Sequence, residues 1–371
     1  MAATNKSANP HNILVIRFSA VGDVAMTVPV LYSLACAHPE CRITFLSNAR
    51  FEPMFRTMPG NFRFLGVDLK HDYDGTAGLN RLYKELIAYK PGFDMIADLH
   101  GVLRTRYLST RFRLAGYRVR SIRKDRIARN RLTKPGHNGL KPLRSAFDRY
   151  LDVFHRLKLE FNIHFASINP ENRATAEDLN ALESVTGVKG DDKWIGIAPF
   201  AAFEGKMYPI DLMEQVVSKL DEAGNCKLFV FAYGKEQERI AEWSRRYKSF
   251  RLIGGRLSMW QELLLMNRMD VMLAMDSANM HLASLVGLPV ISIWGATHPA
   301  AGFLGYGQSA GNCLQTDMPC RPCSIYGKKP CQFGDYRCMR AVTPDMILDK
   351  LSQCPVHTPA THGQHGSETE K

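Results

Sequence analysis

The chain has 371 residues, which is long for a single hydrophobic core and fits two domains of ordinary size. Hydrophobic residues make up 45% and charged residues 23% of it, a composition that excludes a disordered or fibrous protein. Lys and Arg number 48 against 36 Asp and Glu, and the net charge of +12 predicts an anionic partner. That partner could be nucleic acid, an anionic membrane surface or a phosphorylated substrate.

The first half of the chain alternates strand and helix patterns after a polar segment, residues 1–11, that we expect to be flexible. Apolar runs of strand length alternate with stretches of helical spacing. The predicted strands are 12–19, 42–48, 62–67, 93–101 and 117–122, and the predicted helices are 24–38, 78–90 and 145–159. This alternation indicates parallel βαβ units and a doubly wound α/β sheet.

The alternation weakens over about 159–192, apart from a helix near 174–186, and then begins again. The predicted strands are 194–200, 227–234, 250–255, 271–275 and 290–295, and the predicted helices are 209–224, 236–247, 258–269 and 278–287. We therefore expect a Rossmann-like domain over 12–170, a linker region over 171–192, a second Rossmann-like domain over 193–354 and a disordered tail over 355–371. Two such domains would face a central cleft. Ligands of open α/β sheets bind outside the carboxyl ends of the strands, so the turns there are the candidate sites.

The sequence has no export signal and no run of about 18 apolar residues. We therefore expect a cytoplasmic protein that does not span a membrane. Its nine cysteines would be reduced in that compartment, which disfavours a disulfide framework.

The turn after the first strand carries Asp23, directly behind Gly22. Asp23 could be a helix-capping aspartate, or a carboxylate that accepts a proton at the end of a strand. The GxGxxG spacing of a dinucleotide-binding turn is missing here.

The turn after strand 271–275 carries Asp276, Ser277 and Ala278, with His281 one helical turn further on. Backbone N–H groups and the positive end of the following helix would suit a phosphate. A lone histidine on an apolar helix is more often a core residue, but this combination at the end of a strand favours a binding site.

Two further turns follow predicted strands. Lys206, in a loop of small residues after strand 194–200, could bind phosphate as a point charge. Glu236, after strand 227–234, could bind a ribose or belong to a solvated helix N-terminus.

Four cysteines near the C-terminus, Cys320, Cys323, Cys331 and Cys338, could hold a structural zinc ion as thiolates. The last two do not form a second CxxC pair, which favours reduced cysteines packing a loop.

Several of these segments together resemble glycosyltransferase family 9, the bacterial heptosyltransferases. The resemblance lies in ILVIRFSAVGDVAMTVPVLYSL, FDMIADLHGVLRTR, PFAAFEGKMYP, DSANMHLASLVGLPVISIWGATHP and the cysteine-bearing CRPCSIYGKKPCQFGDYRCMRAVTPD, in this order over about 12–350. It implies a GT-B fold with the active site in the cleft. It also implies inverting, metal-independent transfer from a nucleotide sugar, typically ADP-heptose, to lipopolysaccharide core.

The resemblance also implies roles for individual residues. Asp23 matches the general base and Lys206 the lysine that neutralises the diphosphate leaving group. The donor-binding matches are Glu236, for the ribose, and Asp276, Ser277, Ala278 and His281, for the phosphates. Ser277 replaces the usual Thr and keeps the hydroxyl. Ala278 replaces the usual Gly, which adds a Cβ beside the phosphates and leaves the donor's identity open.

The positive charge lies almost entirely in residues 104–149, which hold fifteen of the 48 basic residues and two of the 36 acidic ones. In this family the N-terminal domain binds the acceptor. We therefore expect a phosphorylated glycolipid and the inner face of the cytoplasmic membrane as partners, with Arg111, Arg113, Arg118 and Arg120 as acceptor-binding residues. The alternative is that these side chains only keep the surface helices soluble and bind no partner.

Two other functions remain open from the sequence. A nucleotide-sugar epimerase on the same fold would consume the donor without an acceptor. A basic nucleic-acid-binding protein is the weaker alternative, because the basic segment lacks a zinc-finger, helix-turn-helix or RRM pattern.

Overall fold

The computed structural model describes residues 11–134 and 140–355, which form two compact units. The first unit comprises the described residues up to Phe165 together with Pro299–Phe303, and the second comprises the remainder from Ala166. The first unit thus ends five residues before the predicted boundary at 170. Most of segment 1–11 and of tail 355–371, for which flexibility was expected, lies outside the described residues.

The first unit is a five-stranded parallel sheet in the order β3-β2-β1-β4-β5. Its strands are β1 (Asn12–Ile16), β2 (Arg42–Asn48), β3 (Phe62–Val67), β4 (Met95–Asp98) and β5 (Arg118–Ser121). Its helices are α1 (Val21–Ala25), α2 (Thr27–Ala37), α3 (Gly75–Ala88), α4 (Leu103–Leu114), α5 (Arg126–Leu132) and α6 (Ala146–His155). The two central strands, β1 and β4, are almost wholly buried, as continuous apolar runs in a doubly wound sheet should be.

The second unit begins with α7 (Ala176–Thr186), inside the predicted linker region 171–192, which therefore belongs to this unit. Its strands are β6 (Lys193–Ala198), β7 (Cys226–Val230), β8 (Phe250–Leu252), β9 (Val271–Met275), β10 (Val290–Ile293) and β11 (Cys313–Leu314). Its remaining helices are α8 (Ile210–Ala223), α9 (Lys235–Glu238), α10 (Trp243–Arg246), α11 (Met259–Arg268), α12 (Ala278–Leu285), α13 (Arg337–Arg340) and α14 (Pro344–Ser352). The predicted helix 236–247 is two short helices.

All strand pairs of the second sheet are parallel, in the order β11-β10-β9-β6-β7-β8. This is the strand order of a Rossmann fold. The order in which successive strands are added to the sheet reverses between β6 and β9, while the strands themselves stay parallel. Strands β6 and β9 are paired up to Ala198 and Ala274, so the loops after them leave the sheet side by side. No described helix combines the length and apolar character needed to cross a bilayer.

Candidate active site

Asp23 lies in the first unit, in the turn of α1 that directly follows the central strand β1. About a third of its side chain is exposed, at 35%. Its carboxylate lies 2.8 Å from the guanidinium of Arg17 and accepts a longer hydrogen bond, 3.4 Å, from the backbone N–H of Ala20. Asp23 therefore occupies the first helical turn rather than the N-cap position, and presents an oriented carboxylate at the carboxyl end of the sheet.

The buried side chain of Arg17 fixes the position of this carboxylate. Its side chain is 8% exposed and also donates a hydrogen bond of 2.5 Å to the carbonyl oxygen of Leu99. Burial by itself would lower the pKa of Arg17, but attraction to Asp23 and Tyr150 outweighs burial and raises it above the ordinary value. The buried Tyr150 donates its O–H to the backbone carbonyl of Asp23 at 3.2 Å. The position of Asp23 is thus fixed through both its side chain and its backbone.

The turn after β4 brings His100 to the same edge of the sheet. The fully buried Asp98 accepts hydrogen bonds of 2.9 Å from the backbone N–H groups of His100 and Gly101. Gly101 has a φ of +60°, a conformation that favours glycine, and it leads the chain into α4. Asp98 therefore shapes this turn rather than contributing an accessible carboxylate.

His100 is a site residue that sequence reasoning missed. Burial lowers its pKa to about 3, and repulsion from Arg17 and Lys124 acts in the same direction. The imidazole is therefore neutral near pH 7 and can accept or donate a hydrogen bond beside Asp23. The segment that contains His100 is part of the family resemblance, but the sequence assigns it no role. A histidine in a turn is uninformative until its neighbours in the fold are known.

Several cations surround this turn. Burial lowers the pKa of Lys124, and the nearby charges of Arg17, Arg106 and Arg126 lower it further. Arg104 is exposed at the start of α4 and contributes to the repulsion on His100. Lys124, Arg104, Arg106 and Arg126, which we call the basic rim, therefore concentrate positive charge around Lys124 and His100.

The arginines that the sequence singled out lie elsewhere, except for Arg120. Helix α4 starts at the carboxyl edge of the sheet, so Arg111 and Arg113 in its last turn lie about 12 Å further along its axis. Arg118 begins β5 and is paired with Met95 at the amino ends of the strands. Arg111 stacks on Tyr83, with 4.6 Å between its guanidinium carbon and the ring centroid, which is a structural contact.

Arg120 stands one residue before the carboxyl end of β5, paired with Ala97. Its side chain is exposed and donates a hydrogen bond to the carbonyl oxygen of Val119. The structure therefore does not gather the four predicted acceptor-binding arginines around Asp23. Their role stays a prediction, and the basic rim supplies the cations that lie around His100 and Lys124.

In the second unit, Lys206 and Asp276 are brought together by the neighbouring strands β6 and β9. The ammonium of Lys206 lies 3.0 Å from the carboxylate of Asp276, and their side chains are 17% and 5% exposed. Asp276 thus neutralises and orients a lysine at the point where the strand order reverses, which is where such folds bind phosphates.

The loop that contains the cysteines packs against the stem of Lys206. A Cβ on Gly327 would come within 2.7 Å of the Lys206 Cδ, and Gly327 has a φ of +75°. The backbone N–H groups of Cys323 and Ser324 both donate to the carbonyl oxygen of Ala296 at 3.1 Å. The loop therefore limits where the lysine can point.

Arg321, and not the cysteines, ties this loop to the sheet. The buried guanidinium donates hydrogen bonds to the carbonyl oxygens of Trp294 and Thr297 at 3.0 and 3.1 Å, and also to those of Gly295 and Thr316. No three of the sulfurs of Cys320, Cys323, Cys331 and Cys338 lie within 4.8 Å of one another. This geometry favours the packing interpretation, and a zinc ion on these four residues stays a prediction.

Ser277 is the N-cap residue of α12, and Ala278 begins the helix without a positive φ. The Cβ of Ala278 therefore causes no backbone strain. The Ser277 hydroxyl is buried and has no hydrogen-bond partner among the described residues, and the same holds for Thr297 after β10. His281 is buried on α12, one turn from Ser277. Two unpartnered hydroxyls beside a helix N-terminus and a lysine are what an anionic ligand needs.

Glu236 lies at the start of α9 and accepts a hydrogen bond of 3.0 Å from the backbone N–H of Tyr233. It therefore caps its own turn, and a ribose contact stays a prediction. The Tyr233 hydroxyl donates to the buried carboxyl group of Glu262 at 2.8 Å, a pair that the sequence did not reveal.

Comparison with known proteins identifies the family of this chain. The model of glycosyltransferase family 9 (heptosyltransferase) matches residues 80–336. Lipopolysaccharide heptosyltransferase 1 of Pseudomonas aeruginosa is 24% identical over 337 residues, covering 86% of this chain and 87% of that protein.

Solved structures share the fold. A family 9 glycosyltransferase from Veillonella parvula superposes with a TM-score of 0.70 at 19% identity, covering 94% of this chain and 98% of that one. The E. coli heptosyltransferase WaaC with ADP-2-deoxy-2-fluoro heptose gives a TM-score of 0.63 at 14% identity, covering 92% and 99%. The predicted GT-B class, with two Rossmann-like units, is confirmed. The chain therefore belongs to glycosyltransferase family 9 and is a glycosyltransferase.

Proposed function

We propose that the chain is an inverting heptosyltransferase that moves heptose from ADP-heptose to the phosphorylated core of a lipopolysaccharide. The observation that carries the proposal is the Asp23 carboxylate, held 2.8 Å from the buried Arg17 at the carboxyl end of β1. The P. aeruginosa relative is a lipopolysaccharide heptosyltransferase, and the E. coli structure carries an ADP-heptose analogue, which supports this donor and acceptor.

Asp23 would act as the general base. Its carboxylate takes the proton of the acceptor hydroxyl while that oxygen forms a bond to the anomeric carbon of the heptose. The bond between the anomeric carbon and the β-phosphate oxygen breaks, and its electron pair leaves with ADP. Attack from the side opposite to the leaving group inverts the anomeric centre.

Lys206 would stabilise the negative charge that develops on the leaving diphosphate. The ion pair with Asp276 directs the ammonium, and the N-terminus of α12 adds backbone N–H groups. The unpartnered hydroxyls of Ser277 and Thr297 are available as further donors. These groups supply the charge compensation without a metal ion, so we expect transfer to continue in the presence of EDTA.

The basic rim would bind the phosphates of the acceptor and the anionic leaflet around it. Leu103 and Ile127, two aliphatic side chains beside these cations, are 84% and 72% exposed. Exposed aliphatic groups among Lys and Arg are typical of proteins that lie on anionic membranes. We therefore infer peripheral association with the inner face of the cytoplasmic membrane. If the Leu103→Ser/Ile127→Ser variant bound anionic vesicles as well as the wild type does, the result would contradict this inference.

The decisive experiment measures donor and acceptor together. ADP-heptose should raise the melting temperature more than UDP-sugars do, because a ligand at 100 times its Kd stabilises the fold by about 2.7 kcal/mol. Heptose should then appear on the glycolipid with an inverted anomeric centre, and ADP release should require the acceptor. Donor conversion without an acceptor would instead indicate an epimerase. RNA binding without any nucleotide-sugar binding would indicate the nucleic-acid-binding alternative.

A further inference from the structure

The turn between α2 and β2, in the first unit, gathers three metal-binding side chains. The ligand atoms of His38, Glu40 and Cys41 all lie within 4.8 Å of one another, and no other such group occurs among the residues described. The Glu40 Oε1 atom lies 3.2 Å from the His38 Nδ1 and 3.7 Å from the Cys41 Sγ. The turn lies at the amino ends of the strands, opposite the edge that carries Asp23.

The hydrogen bonds of His38 orient its ring for metal binding. The Nε2 atom lies 3.2 Å from the carbonyl oxygen of Glu160, and a carbonyl can only accept, so Nε2 carries a hydrogen. The remaining ring nitrogen, Nδ1, faces the Glu40 carboxylate. A backbone carbonyl behind the other ring nitrogen is the usual second-shell partner of a metal-bound histidine.

Cys41 supplies the third ligand from the interior. Its side chain is buried, and the backbone N–H of His11 donates a hydrogen bond to its sulfur. Zinc binds the thiolate form of cysteine, so binding at Cys41 would release the thiol proton. One thiolate and one carboxylate balance the charge of a divalent cation.

The distances match those of a tetrahedral zinc site. Zinc binds nitrogen and oxygen at about 2.0–2.1 Å and thiolate sulfur at about 2.3 Å. At tetrahedral angles these bond lengths separate the nitrogen and oxygen by about 3.3 Å, and the sulfur and oxygen by about 3.5 Å. The observed 3.2 and 3.7 Å fall close to both values. The three side chains would need only small movements to hold the ion.

We propose that His38, Glu40 and Cys41 bind a Zn²⁺-type cation and leave its fourth position open. Glu40 and Cys41 line a groove of about 480 Å³, so water or a small ligand could reach that position. The ion would fasten the turn before β2 and, through His38, the backbone at Glu160. This site is independent of the transfer reaction.

The test uses the full-length chain, stripped of metal with a chelator under a phosphine reductant, and titrated with Co²⁺ and then Zn²⁺. We expect one equivalent of Co²⁺ with a single thiolate-to-cobalt charge-transfer band, displaced by Zn²⁺. Cys41→Ser, His38→Gln and Glu40→Gln should each weaken Zn²⁺ binding by at least about tenfold. Cys36→Ser, on α2 just before this turn, and Cys323→Ser, in the cysteine loop, are matched controls and should leave the affinity unchanged.

X-ray absorption at the zinc edge gives an independent readout, with one sulfur and the remaining ligands nitrogen or oxygen. Absence of stoichiometric binding would overturn the proposal. Four sulfur ligands, or binding lost in Cys323→Ser and kept in Cys41→Ser, would assign the ion to the cysteine loop and also overturn it. If Cys41→Ser fails to fold, Glu40→Gln decides, because it changes one partly exposed oxygen.

Discussion

The guanidinium of Arg17 and the carboxylate of Asp23 form an ion pair of 2.8 Å in which the cation is buried and the anion is partly exposed. Arg17 receives its other support from the backbone of Leu99, so the pair joins the ends of β1 and β4. In the proposed reaction, a carboxylate anchored in this way is already oriented before the acceptor arrives, which reduces the entropy lost on reaching the reactive geometry.

Replacing this carboxylate should abolish transfer without abolishing donor binding. Asp23→Asn keeps the size and can still accept from Ala20, but it cannot take a proton, so kcat should fall at least about 100-fold. Steady-state kinetics with glycolipid acceptor and calorimetric binding of ADP-heptose measure the two effects. Asp72→Asn, at an exposed position of the same unit, is the control. Near-normal kcat in Asp23→Asn would remove Asp23 as the base.

The Lys206–Asp276 pair allows stability and chemistry to be separated. Lys206→Met leaves a buried carboxylate without its cation, which should cost roughly 3 kcal/mol of unfolding free energy and also lower kcat. In Lys206→Met/Asp276→Asn both charges are gone, so stability should recover while kcat stays low. Urea unfolding and kinetics on the wild type and these two variants measure this. Recovery of kcat along with stability would show that Lys206 acts only through the fold.

Charge neutralisation at the two edges of the first sheet should have different effects on acceptor use. Arg104→Gln/Lys124→Gln removes two cations of the basic rim, and at about 1 kcal/mol each the acceptor KM should rise roughly 30-fold. Arg113→Gln/Arg118→Gln removes the same charge at the opposite edge and should change this KM less than about twofold. The reverse result would favour the arginines that the sequence singled out.

Glu262 should make stability depend on pH. Burial raises its pKa to about 7 in the folded state, whereas the unfolded value is near 4.5. Between these values the folded state binds more protons, so the unfolding free energy falls as pH rises from about 4.5 to about 7, by up to roughly 3 kcal/mol. Glu262→Gln cannot ionise and should lack this decline. Denaturant titrations of both proteins from pH 4.5 to 8 test it, and parallel curves would contradict it.

The sheets could be predicted from the sequence because their central strands are continuous apolar runs. Strand β9, VMLAM, is buried at every position and contains nothing that suggests another structure. Helix α4 was missed because its sequence, LRTRYLSTRFRL, is dominated by arginine and has weak apolar periodicity, although Leu108 and Phe112 are buried. Helix α14 was also missed, because the cysteine-rich loop before it obscured the apolar pattern near the C-terminus.

The candidate site could be predicted only where one turn holds the whole signal. Asp23, Lys206 and Asp276 each follow a strand, so topology alone directed attention to them. The arginines could not be assigned to an edge, because that requires the direction of α4 and the register of β5 against β4. His100 and Glu262 depend on burial by residues distant in the chain, which no local pattern reports.

Pro299–Phe303 belongs to the first unit, although the residues on both sides of it belong to the second. This assignment matters for protein engineering. The backbone N–H groups of Leu143 and Ala146 donate to the carbonyl oxygens of Ala300 and Gly302 at 2.8 Å. Gly302 has a φ of +78°, and a Cβ on it would come within 3.1 Å of the Arg144 carbonyl carbon. A fragment ending at residue 165 would lack these partners. A chimera that exchanges the second unit between family members therefore needs three crossovers, at 165/166, 298/299 and 303/304, so that this five-residue strip stays with the first unit.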